Sequence, residues 1–178
     1  IAARASTPAA ANQLLKRLKQ VLDYGVENEW LKQNPAKSVK RVKYKPTPHH
    51  TWTEEEAKQF LSFHPPGTMA HIAMMLMLYT GVRRSDLVKL GRSNVRTILM
   101  EDGPKPFIVI DRQEKTEDPV EIPVHDKLAP IIEAIKGRLI FVLTAYGRPF
   151  TVKGFGNRMR DWCDEAGLPD CTAHGLRK

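Results

Sequence analysis

Apolar residues recur at helical spacing near the start of the chain. Leu14, Leu15, Leu18, Val21, Leu22 and Val26 fall on one stripe, with Lys16, Lys19 and Asp23 elsewhere on the turn. The pattern predicts an amphipathic helix from Pro8 to about Glu29. Asn34-Pro35 closes that element, because a residue before proline is pushed out of the helical region. From Lys37 to Pro48 the apolar signal fades, and basic residues with Pro46 and Pro48 suggest a stiffened linker. Thr53-Glu54-Glu55-Glu56 then reads as a capping box opening a helix to about Phe63. His64-Pro65-Pro66-Gly67 interrupts it. Thr68 to Tyr79 is apolar on most faces and predicts a buried helix that stops at Thr80-Gly81. Its Met74, Met75 and Met77 read as core filler.

Beyond Gly81 the pattern changes period. Ser85 is positioned to cap a short helix through Leu90, with Asp86 favourable in its first turn. Phe107 to Asp111 and Val120 to Pro123 read as strands, joined by a polar hairpin tip from Arg112 to Pro119. Leu128 to Ile135 predicts a helix with Asp126 as its cap. Thr151 to about Ala166 predicts another, closed by Gly167-Leu168-Pro169. These elements make a fold that is mainly α with a small antiparallel β-sheet (α+β).

A chain of 178 residues can bury roughly 70% of its unfolded surface, so it can hold a true core. Its formal charge is +8, and the excess is uneven: residues 1–48 hold ten basic side chains against Asp23, Glu27 and Glu29. Such a concentration points to a polyanion, most simply nucleic acid. Cys163 and Cys171 fit neither a disulfide framework nor a zinc pattern, and they read as reduced thiols of a cytosolic protein. The apolar run Ile72 to Tyr79 is far below the ~20 residues that span a bilayer. His49 and His50, adjacent in a linker, point apart and bring no further ligands, so they do not suggest a metal pair. His71, in an apolar helix, reads as a satisfied core histidine. No residue set in the sequence calls for a metal or other cofactor. Ile1 is not an initiator methionine, and both ends look cut.

Three segments carry candidate chemistry: Leu78-Tyr79-Thr80-Gly81-Val82-Arg83, Gln113-Glu114-Lys115-Thr116 before Val120-Glu121-Ile122-Pro123, and Ala173-His174-Gly175-Leu176-Arg177-Lys178. The first resembles the T-G-x-R motif of tyrosine recombinases, the phage-integrase family. The second resembles that family's strand-turn-strand, whose tip presents a catalytic lysine. The third resembles its H-x-L-R motif. The resemblance covers essentially the whole chain. It implies a partition into residues 1–42 as the last helices of a helical DNA-binding core domain, 43–50 as a basic linker, and 51–178 as a catalytic domain.

The residue types suit phosphodiester transfer on physical grounds. The transition state concentrates negative charge on non-bridging oxygens, and guanidinium forks donate paired hydrogen bonds to them without losing charge. Arg83 and Arg177, on different elements, are the candidates for that clamp. Lys115 is the candidate general acid for the leaving 5′-oxygen, with Arg112 as its competitor in the same tip. His174 lies three residues before Arg177 and shares its helical face, placed to bond the phosphate or assist proton transfer. Arg84 reads as a DNA-phosphate contact, as do Lys37, Lys40, Arg41, Lys43 and Lys45.

The resemblance further implies site-specific integration or excision of double-stranded DNA, by four protomers in the prokaryotic cytoplasm, with no metal and no membrane. The family's nucleophile is a tyrosine beyond H-x-L-R. Tyr24, Tyr44, Tyr79 and Tyr146 all precede Arg177 and match no nucleophile motif, so this stretch alone is not expected to cleave DNA. Two other readings stay open: a type IB topoisomerase-like enzyme using the same phosphate chemistry, and a non-catalytic DNA-binding regulator derived from a recombinase.

Overall fold

A computed structural model describes residues 6–45, 48–113 and 118–177. The chain divides into two units, Ile1–Pro48 and His49–Lys178.

In the first unit, α1 (Pro8–Glu27) starts with proline in its first turn, where a missing N–H costs nothing. Only part of its apolar stripe is covered. Ala11, Leu15 and Gly25 are buried, whereas Leu14, Leu18 and Val21 remain exposed. The stretch read as linker from Lys37 is partly tied down. Asn12 on α1 pairs with Val42 through both amide atoms, donating to its carbonyl and accepting from its N–H at 2.8 Å each. Lys19 Nζ donates to the carbonyls of Lys37 and Val39 at 3.0 Å. Composition alone misses this, because the bonds run from side chains to backbone and leave no apolar signature.

In the second unit, Thr53 Oγ1 accepts the Glu56 N–H at 3.2 Å, and the Glu56 carboxylate accepts the Thr53 N–H at 2.8 Å. This capping box opens α2 (Glu54–Phe63). Thr68 caps α3 (Met69–Thr80) by accepting the His71 N–H. Residues Ala70 and Ile72 to Met77 of α3 are buried, so this helix is the centre of the core. It ends because Gly81 adopts the left-handed conformation at φ +59°, bringing its N–H to the Met77 carbonyl at 2.9 Å.

The next helix, α4 (Arg84–Leu87), is shorter than the sequence predicts. Arg83, not Ser85, occupies its capping position, and no side chain caps it. A three-stranded antiparallel sheet follows in the order β1 (Val95–Met100), β2 (Gly103–Ile110), β3 (Val120–Pro123). The sequence reading lacks β1. Its side chains do not alternate between buried and exposed, and Leu99 is 81% exposed, so no period of two is visible. On β2, Phe107 to Ile110 are all buried, which marks the strand that holds the sheet against the core. Before α5 (Ala129–Ile135), His125 Nδ1 rather than Asp126 accepts the Lys127 N–H at 3.1 Å. Thr151 caps α6 (Val152–Glu165), which buries Phe155, Met159, Trp162 and Cys163 on one face. Two histidines brace the core. The ring N–H of His64 donates to the Trp162 carbonyl at 2.9 Å, and that of His71 donates to the His64 carbonyl at 3.1 Å.

Candidate active site

The end of α3 and the start of α4 aim Arg83. The left-handed Gly81 reverses the chain, Thr80 Oγ1 accepts the Val82 N–H at 3.3 Å, and buried Val82 anchors the turn. Arg83 is half-buried, and its Nη1 donates to Gln113 Oε1. Gln113 in turn closes the neck of the β2–β3 loop, its backbone N–H donating to the Asp118 carbonyl at 3.2 Å. The predicted Lys115 lies outside the described residues. Its neighbour Gln113 nonetheless joins the base of that loop to Arg83. Nothing in the sequence singles out Gln113, because an amide in a charged tip carries no distinctive pattern.

His174 and Arg177 arrive from the other end of the unit. They do not sit on an α-helix as their spacing suggests. Gly175–Arg177 is a single 3₁₀ turn, and His174 precedes it. A strap from the unit's first residues holds this segment. Trp52 Nε1 donates to the Thr172 carbonyl at 2.9 Å. The His50 carbonyl passes so close to Gly175 that a Cβ there would sit 2.0 Å from its oxygen. Backbone cannot yield by that much, so glycine between the histidine and Leu176 is a packing requirement. His49, just before His50, places its ring edge-on to His174, centroids 4.8 Å apart.

Arg83, His174 and Arg177 thereby line one cleft of about 450 Å³, together with His49, Arg84, Ser85, Val152 and Ala173. Among the described residues the lining includes three arginines, two histidines and no carboxylate, so it favours an anion. Arg84 also rests its guanidinium against Gly156 of α6. Sequence reasoning missed His49 and Ser85 as lining residues. His49 belongs to a stretch that reads as linker, and only the fold brings it to His174.

This unit pairs a three-stranded sheet with helices around one arginine- and histidine-lined cleft, and comparison with known proteins gives its lineage. The phage integrase family model matches residues 50–178, and the chain belongs to that family. It is 27% identical over 135 residues to the ICEBs1 integrase of Bacillus subtilis (strain 168), covering 71% of this chain and 37% of that protein. Its fold is similar to that of a lambda integrase dimer bound to a COC′ core site, with a TM-score of 0.74 at 18% identity over 97% of this chain and 51% of the other. It is similar also to a lambda integrase tetramer bound to a Holliday junction, with a TM-score of 0.71 at 19% identity over 96% of this chain and 52% of the other. The chain therefore spans about half the length of these structures, or less for the curated relative.

Proposed function

We propose that this chain is part of a tyrosine-type site-specific recombinase that integrates or excises double-stranded DNA through a 3′-phosphotyrosine intermediate. The observation that carries the reading is the shared cleft: Arg83, His174 and Arg177 reach it from distant segments, with no carboxylate among its described lining residues. The two guanidinium groups bind the non-bridging oxygens of the scissile phosphate and stabilise charge that grows in the transition state. Gln113 orients Arg83. His174, packed against His49, bonds the phosphate or moves a proton. Lys115 protonates the leaving 5′-oxygen, and the attacking tyrosine is the one that the family resemblance places downstream of Arg177.

Residues 1–42 serve as the end of a DNA-binding core domain, and 43–50 as the linker to the catalytic domain. Lys37, Lys40, Arg41, Lys43 and Lys45, all exposed, neutralise backbone phosphates, and Arg84 adds a contact at the cleft. The working form is a homotetramer on DNA in the prokaryotic cytoplasm. Lambda integrase seen as a tetramer on a Holliday junction supports that assembly. Among the described residues no helix is long and apolar enough to cross a membrane.

The test uses the intact protein, carried through to its tyrosine, on a nicked duplex bearing its own attachment site. The expected product is a covalent protein–DNA adduct linked through tyrosine, formed about 10²–10³-fold more slowly by Arg83→Ala or Arg177→Ala. Absence of the adduct, or undiminished rates in both variants, would contradict the proposal.

A further inference from the structure

His49 and His50 part company in the fold. While His49 faces the cleft, His50 turns to Glu56, its Nε2 lying 2.8 Å from both carboxylate oxygens. Cys171 completes the group: one donor atom from each of His50, Glu56 and Cys171 falls within 4.8 Å of the others. Cys171 is buried, whereas the His50 and Glu56 side chains retain 38% and 24% of their exposure. The cluster thus has a closed floor and an open mouth.

We propose that His50, Glu56 and Cys171 form a binding site for a divalent transition-metal ion of the zinc class, separate from the phosphate cleft. One imidazole nitrogen, one carboxylate oxygen and one sulfur make the mixed donor set that borderline-soft Zn²⁺ favours over magnesium or calcium. Tetrahedral bonds of Zn–S ≈ 2.3 Å and Zn–N ≈ 2.0–2.1 Å set neighbouring donors roughly 3.2–3.8 Å apart. In the structure the His50–Glu56 pair is closer than that, at 2.8 Å, and all three donors lie within 4.8 Å of one another, so an ion would draw the group toward a common centre. Three protein ligands leave the fourth position to water at the exposed mouth.

Without an ion, His50 and Glu56 are hydrogen-bonded and Cys171 lies beside them. Burial, followed by the nearby Glu56 carboxylate, pushes the Cys171 thiol up to about 12. Glu56 is itself held below the usual carboxylate range, first by the Thr53 N–H and then by His50. On metal entry the Cys171 thiol releases its proton to solvent as the sulfur–metal bond forms. His50 binds through the Nε2 lone pair with its proton on Nδ1. Glu56 keeps its bond to the Thr53 N–H while a carboxylate oxygen takes the ion.

The location gives the ion a mechanical effect. Cys171 begins the segment that continues through Thr172 to His174 and Arg177. His50 belongs to the strap whose carbonyl meets Gly175 and whose Trp52 bonds Thr172. An ion would cross-link strap and segment directly behind the cleft, and binding only the folded form would raise thermal stability.

The experiment is a Co²⁺ titration of this chain without an affinity tag, after chelator treatment, followed by absorption and by melting temperature. The expected result is saturable binding of one ion, with the visible bands of four-coordinate Co²⁺, a thiolate-to-cobalt charge-transfer band, and a rising melting temperature. Zn²⁺ should displace the cobalt and bleach the bands. Cys171→Ser should abolish the charge-transfer band, and Cys163→Ser should leave it intact. His50→Gln and Glu56→Gln, the latter still able to complete the capping box, should each weaken binding at least about tenfold. These two partly exposed positions keep the test decisive should the buried serine variant misfold. A titration without a thiolate band, a band that survives Cys171→Ser, or affinity unchanged in both glutamine variants would overturn the proposal. None of these readouts depends on DNA cleavage.

Discussion

In the second unit, Arg83, His174 and Arg177 reach one cleft from the end of a core helix and from a 3₁₀ turn far along the chain, with Arg83 bonded to Gln113 and His174 packed against His49. In the first unit, Lys37, Lys40, Arg41, Lys43 and Lys45 follow one another along one exposed stretch. In the proposed function both regions offer positive charge to a phosphate, but they do so differently. The cleft relies on position, so each group is hard to replace. The basic stretch relies on number, so its members are interchangeable and its effect is screened by salt.

The contrast breaks most visibly at the cleft. Arg83→Lys and Arg177→Lys keep the charge but lose the planar fork. In the intact protein each should still slow covalent adduct formation by roughly 10²-fold or more. Near-normal rates would mean that the cleft, like the basic stretch, needs charge alone. For the stretch, replacing all five basic residues with alanine should flatten the log–log dependence of DNA affinity on salt by about 4 to 5. Single replacements should each remove about 1. An unchanged slope in the fivefold variant would take the stretch out of the DNA interface.

Smaller effects probe the scaffold of the cleft. Gly175→Ala forces a Cβ toward the His50 carbonyl and should cost about 1–3 kcal/mol in denaturant unfolding. Thr53→Ala removes one half of the capping box and should cost about 1 kcal/mol. The Cys163 thiol is pushed up to about 12, chiefly by burial. Alkylation of Cys163 in the folded protein at neutral pH should accordingly be far slower than in denaturant, as followed by mass spectrometry.

The two regions also differed in how they showed themselves in the sequence. The basic stretch was visible as composition. Arg83 was visible through the resemblance of Thr80-Gly81-Val82-Arg83, after a buried helix, to the family's T-G-x-R motif, and α2, α3 and α6 announced themselves through caps and apolar periodicity. The β1 strand was hidden because its exposed Leu99 and Met100 break alternation. Hydrogen bonds from Asn12 and Lys19 to the stretch at 37–42, the Gln113 contact with Arg83, and the two diverging histidines were also illegible. Each depends on long-range backbone placement that no local pattern encodes. The sequence spacing of His174 and Arg177 suggested a shared helical face; the structure brings both to the cleft through a tighter turn.

One anion shared between two guanidinium groups is the central claim, and crystals of this chain soaked in tungstate test it most directly. The predicted result is one strong anomalous peak in the cleft, with oxygens about 2.7–3.2 Å from nitrogens of both Arg83 and Arg177, lost in Arg177→Ala. A cleft without tungstate, or tungstate held by Arg83 and Arg177 at separate positions, would contradict the account.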